Sequence, residues 1–105
     1  MNNLNSVIIE GSVSDLKLKI LKAAFYVNAS RSVKVNGKMK TEISKIPVMA
    51  YGTVAMRIVD VSETDEVRIV GRLQEYDGFI SVLAEHTEII KKPVETIKKN
   101  ENPKF

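Results

Sequence analysis

The segment Glu66-Val67-Arg68-Ile69-Val70-Gly71-Arg72-Leu73-Gln74-Glu75-Tyr76-Asp77-Gly78-Phe79 limits the fold more than any other part of the chain. It alternates as an extended strand does. Val67, Ile69, Gly71 and Leu73 fall on one face, and Arg68, Val70, Arg72, Gln74 and Tyr76 on the other. A glycine stands where the inward row would otherwise carry a branched side chain, which permits the strong coiling of a small closed barrel. Asp77-Gly78 is a tight-hairpin signal, and a new strand leaves at Phe79. The expectation is a curled strand whose Val67, Ile69 and Leu73 fill a barrel. Its other face carries two arginines and a tyrosine to a turn with an aromatic residue on each side.

Other bulk features narrow the class. A chain of 105 residues makes one domain around one core. It has no cysteine, so neither a disulfide framework nor a thiolate nucleophile or metal site is available. No run of about 18 apolar residues is present to span a bilayer as a helix. Met1-Asn2-Asn3-Leu4-Asn5 lacks the basic and apolar regions of a secretion signal. The expected location is cytoplasmic.

The formal net charge of +3 is unevenly placed. From Lys91 onward five lysines face two glutamates, so residues 1–90 are neutral and the surplus lies in the last 15 positions. Within the neutral part, Lys17 to Lys45 holds eight basic residues and one acid, Glu42. Arg57 to Ile90 holds three arginines and eight acids, including Asp60, Glu63, Asp65 and Glu66. Such segregation makes a polarised surface, and a phosphate backbone responds to local rather than net charge.

Earlier in the chain, Ser6 to Val13 reads as the first strand, with Val7, Ile9, Gly11 and Val13 on its inward side. Ser14-Asp15 breaks the alternation, and Leu16 to Ile20 resumes it as apolar against lysine, which favours strand over a short helix. Ala23 to Ser30 points Ala23, Phe25, Val27 and Ala29 inward and Tyr26, Asn28 and Ser30 outward. It runs on to Asn36-Gly37, a second hairpin signal. The third strand returns from Lys38 to Tyr51, with Ile46, Val48 and Ala50 on one face and Met49 and Tyr51 on the other. Pro47 lacks a ladder donor and is expected at an edge or bulge. Between Ser30 and Lys45 the apolar content is too low to bury, so this hairpin should project as a basic arm. After Gly52, Thr53 to Val61 is the expected helix, capped by Thr53, with Val54, Ala55, Ile58 and Val59 as its buried stripe. Ser62 to Asp65 is an acidic loop. Phe79 to Ile90 is the fifth strand, and residues 91–105 are expected to be a flexible basic tail. Three strands, one short helix and two strands are the order of a five-stranded OB-fold Greek-key barrel, all-β but for that helix, here with projecting hairpin arms.

Five pieces of sequence also resemble the bacterial single-stranded DNA-binding protein family. They are Asn5 to Val13, Phe25 to Ser32, Lys45 to Gly52 with Ala55 after it, Asp65 to Leu73, and Val82 to Glu85. They occur in the family's order and together span about residues 4–90. The resemblance implies an OB-fold that self-associates as a dimer or tetramer. It implies sequence-independent binding of single-stranded DNA in replication, recombination or repair. Bases stack on aromatic rings while lysines and arginines track phosphates. This chain departs from the family by having no tryptophan. Val33 and Lys45 stand where stacking tryptophans would fall, and the hairpin at Asp77-Gly78 is shorter. It ends Glu101-Asn102-Pro103-Lys104-Phe105, with a lysine where the family has an acidic tip, so recruitment of replication proteins does not carry over.

The candidate contacts to DNA are therefore Tyr51, Tyr26, Tyr76 and Phe79 for stacking, and Arg31, Lys34, Lys38, Lys40, Lys45 and Arg72 for phosphates. Arg68 is assigned to an ion-pair network or a subunit contact. His86, the lone histidine, makes a weak metal ligand and an incomplete catalytic set. Glycines 37, 52, 71 and 78 are too scattered to cradle a phosphate. Neither a cofactor nor a metal is expected, and an enzyme is disfavoured. The alternatives are an OB-fold assembly module that has lost strong DNA binding, and an RNA-binding OB domain.

Overall fold

The computed structural model describes residues 3–62 and 65–90, so the basic tail expected over 91–105 lies outside the described residues. Strands β1 (Val7–Lys19), β2 (Lys22–Val35) and β3 (Lys38–Tyr51) are followed by helix α1 (Gly52–Met56), then β4 (Glu66–Tyr76) and β5 (Phe79–Ile90). The strands close into one barrel in the order β1-β2-β3-β5-β4. All neighbours are antiparallel except β3 and β5, which pair in parallel at Val48 with Val82 and Met49 with Leu83.

The alternation read from the sequence is the alternation that folds. Val13, Ala23, Phe25, Val27, Val48, Ala50, Val67, Ile69, Val82 and Ala84 fill the barrel, and Ala55 and Ile58 plug it from the α1 side. Asn36-Gly37 and Asp77-Gly78 each have positive φ at both residues, the two-residue turn whose twist matches its flanking strands. Two glycines serve close backbone approach. A Cβ on Gly11 would lie 2.2 Å from the Asn28 carbonyl oxygen, and one on Gly71 would lie 2.0 Å from that of Leu83. Pro47 pairs with Tyr26 of β2, and β3 gains its second neighbour only from Val48 onward, so the proline stands at an edge.

Leu16 to Lys19 continues β1 as a strand. The break at Ser14-Asp15 is an irregularity in the β1–β2 ladder, where partners jump from Ser14 to Lys17 and Asp15 takes φ +54°.

Four expectations need correction. The helix ends at Met56, not Val61, and the chain goes on through Val61 in i→i−3 turns such as Arg57 N–H to Val54 O and Ile58 N–H to Ala55 O. A run rich in Val and Ile has low helix propensity and too few residues to offset nucleation. Thr53 lies inside α1, and among the described residues no side chain caps it; Tyr51 occupies the cap position. Val59, expected in the buried stripe, is exposed because the tighter turns rotate it outward. Leu73 does not fill the barrel: it is exposed, and its backbone is held by the Asn5 side chain, which accepts from Leu73 N–H at 3.0 Å and donates to Leu73 O at 2.8 Å. Past Gly71 the β4–β5 hairpin leaves the barrel wall, so the inward parity no longer meets the core.

In the acidic loop, Asp65 is buried. Its Oδ2 accepts from the Ser62 N–H at 3.2 Å while its own N–H donates to Ser62 O at 3.1 Å. Residues 63 and 64 are outside the described set.

Candidate nucleic-acid interface

Cross-strand partners share a sheet face, so register decides which candidates meet. In the β2–β3 ladder, Lys22 pairs with Tyr51, Ala24 with Met49, Tyr26 with Pro47, Asn28 with Lys45, and Lys34 with Met39. These pairs form the outward face. The parallel step from Met49 to Leu83 carries that face across to β5. It then reaches β4, where Leu83 pairs with Arg72, Ser81 with Gln74, and Phe79 with Tyr76. Tyr26, Tyr51, Phe79, Tyr76, Lys45, Lys34 and Arg72 thus stand on one continuous outer surface of four strands.

Arg31, Lys38 and Lys40 do not stand there. They pair with Glu42, Val35 and Val33 on the opposite face of the projecting ribbon. The five basic residues of the arm divide two and three between its faces.

The aromatic rings are available to solvent: Tyr76 is 76% exposed, Phe79 77%, Tyr51 46% and Tyr26 36%. Tyr51 is framed at both ends. The Lys22 ammonium lies 5.9 Å from its ring centroid, and its hydroxyl donates toward Met49 Sδ at 3.9 Å. Gln74 Nε2 meets the same sulfur at 4.0 Å and Ser81 Oγ at 3.4 Å. Met49 therefore joins the β3 tyrosine to the β4–β5 hairpin. Tyr26 has the Lys45 ammonium 4.7 Å from its ring centroid, and that ammonium also pairs with Asp15 Oδ2 at 3.0 Å.

Magnitudes set how firmly these lysines hold their rings. An exposed cation over a ring contributes about 0.5–1 kcal/mol, and an exposed ion pair about 0–1 kcal/mol. A stacked base contributes about 1–3 kcal/mol. A planar base on either ring would outcompete Lys22 or Lys45 and leave the ammonium free for a phosphate.

The arginines of β4 differ. Arg68 donates to Glu10 of β1 and, at 3.2 Å, to Glu88 of β5. The hydrogen bond and charge of Glu10 first, and Glu88 second, raise the guanidinium above its usual range. Two carboxylates occupy Arg68, which is the ion-pair network expected of it. Arg72 has one looser partner, Glu85, at 3.7 Å. Ladder partners jump from His86 to Ala84, so Glu85 is the extra residue of a bulge that brings it beside Arg72.

Lys22, Met49, Gln74 and Ser81 belong to the surface but were not among the sequence candidates. Strand parity could have found Lys22 and Gln74, since each shares the outward row of a tyrosine in its own strand. Asp15 had only the break in alternation to mark it. His86 is exposed, and among the described residues no three His, Cys, Asp or Glu side chains gather as a metal site. Among the same residues no helix is long and apolar enough to cross a membrane.

Solved structures resemble this architecture over most of its length. The Plasmodium falciparum SSB, solved in complex with ssDNA, superposes with a TM-score of 0.69 at 14% identity, covering 89% of this chain and 98% of that one. The chain is an OB-fold. The small single-stranded DNA-binding protein of Streptomyces coelicolor gives a TM-score of 0.66 at 17% identity over 84% of this chain and 94% of that one. A deletion variant of the Thermus aquaticus single-stranded DNA binding protein gives 0.65 at 19% identity, over 84% of this chain and 51% of that one. No protein-family model and no curated protein matches the sequence.

Proposed function

We propose that this protein is a non-enzymatic binder of single-stranded DNA that serves replication, recombination or repair in the cytoplasm, on strands exposed in the nucleoid. The observation that carries the reading is the outer surface shared by Tyr26, Tyr51, Tyr76 and Phe79, with Lys22, Lys34, Lys45 and Arg72 between and beside the rings. Exposed rings at strand spacing offer platforms to successive unpaired bases, and interleaved cations follow the backbone. The likeness to proteins solved with, or named for binding, single-stranded DNA supports the same reading.

Arg31, Lys38 and Lys40, on the reverse of the arm, contact a strand only where it wraps around the ribbon. The protein self-associates as a dimer or tetramer. The edge of β1 from Val7 to Gly11 supports this, since β4 covers one side and the β2 ladder begins only at Ser12. A strand edge without a partner among the described residues, beside an exposed Ile8, is a template for a second copy.

Stacking needs unpaired bases, which gives the test. In a mobility-shift titration at low salt, oligo-dT should be retarded at far lower protein concentration than a duplex of equal length. Equal affinity for both would mean a purely electrostatic surface, and no shift of either would end the DNA reading.

A further inference from the structure

We propose that the cleft beside Tyr26 is a nucleobase subsite in which Asp15 selects bases carrying an exocyclic amino group; this rests on the single-strand reading above. The cleft has a volume of about 450 Å³ and lies between the β1 irregularity and the β2–β3 pair, lined by Asp15, Leu16, Lys17, Ala24, Tyr26 and Pro47 among others. It combines an aromatic wall, an apolar floor and one anionic acceptor. A planar heterocycle with a hydrogen-bond donor on its edge has the matching chemistry.

The backbone places Asp15 for this. At φ +54° it leaves the strand path, and the ladder skips from Ser14 to Lys17 around it. Its Oδ2 holds Lys45 at 3.0 Å, and its Oδ1 makes no hydrogen bond among the described residues. The same Lys45 lies over Tyr26, 4.7 Å from the ring centroid. Lys45 thus stands where the base would stack and neutralises the carboxylate until the base arrives. When a base enters, the ammonium moves to the adjoining phosphate, and the carboxylate loses its cation. Cytosine, adenine or guanine can then donate an amino N–H to Asp15. Thymine has no amino group; its one edge donor, N3–H, lies between the O2 and O4 acceptors, and both oxygens are repelled by a carboxylate, so thymine bonds Asp15 less well.

The test compares oligo-dC with oligo-dT of equal length, both weakly stacked pyrimidine strands, by fluorescence anisotropy. An amino hydrogen bond to an ionised acceptor, without thymine's two opposing oxygens, predicts that the wild-type protein binds oligo-dC about fivefold tighter. Asp15→Gly keeps the left-handed backbone and removes the acceptor, so the ratio should fall to about one. Asp15→Asn also tolerates that backbone and gives a second variant; its amide can donate to thymine, so the ratio should fall there too. Release of Lys45 in either variant strengthens both oligomers alike and does not move the ratio. Equal wild-type affinity for the two oligomers, or a ratio unchanged in folded variants, would overturn the subsite while leaving single-strand binding intact. Failure to bind either oligomer would overturn both.

Discussion

Tyr51 is the residue on which the interface turns. It pairs across the ladder with Lys22, touches Met49 and through it meets Gln74. Its substitution by alanine should weaken oligo-dT binding by about 1–3 kcal/mol, the value of one stacked base. Isothermal titration reads this directly, and an unchanged affinity would remove Tyr51 from the path. Arg68 should behave in the opposite way. Bound to Glu10 and Glu88, it has little charge to offer a phosphate, so Arg68→Met should leave DNA affinity intact and lower the thermal midpoint. Its raised pKa sets the sign with pH. The stabilisation is complete below the guanidinium's unfolded value and is lost only as pH rises through the still higher folded value. Arg68 itself therefore gives no pH dependence across the neutral range. Parity in the sequence placed Tyr26, Tyr51 and Tyr76 outward, because a strand has period two and nothing nearby overrides it, whereas Phe79 was marked only by its place after the Asp77-Gly78 turn. The Asn5 clamp on Leu73 was not legible, since it joins positions 68 apart through the backbone.

Among the elements, the two hairpins make different demands. The β4–β5 hairpin depends on Gly71, where the Leu83 carbonyl leaves no space for a methyl group. Gly71→Ala must push β5 away, so it should cost about 1–3 kcal/mol of stability, or more if the barrel cannot relax. A lower urea midpoint with unchanged slope would report it. The β2–β3 arm tests the facial division of its charges. Lys34→Gln and Lys45→Gln should each reduce the salt slope of oligo-dT binding by about 0.7, the increment per phosphate on a single strand. Lys38→Gln and Lys40→Gln, on the other face, should reduce it less with oligomers too short to wrap. Equal effects from all four would mean that the ribbon binds on both faces. The arm was legible as an element because residues 30–45 carry too few apolar side chains to bury. The division of its lysines was not, because it depends on the register that pairs Lys34 with Met39 and Lys38 with Val35. Helix α1 was legible as an element and misjudged in extent. Periodicity marked Ala55 and Ile58, but the β-branched run ended the helix at Met56.

For the whole molecule, closure of the barrel is what converts scattered residues into a surface. The parallel contact between β3 and β5 is only two residue pairs long, yet it brings Met49 and Tyr51 beside Ser81 and Gln74. The open β1 edge bears on assembly at this scale. Ile8→Lys should shift the mass measured by light scattering toward a monomer, and an unchanged mass would place the interface elsewhere. Stacking on tyrosines and contacts to phosphates should together bind single strands. Anisotropy titration of labelled oligo-dT across a range of salt concentrations tests this most directly. Log affinity should fall linearly with log salt, with a slope of about −0.7 for each phosphate held. Binding extrapolated to high salt should remain measurable and be weakened by Tyr51→Ala. A flat salt dependence, or a salt-resistant part indifferent to the tyrosine, would contradict it.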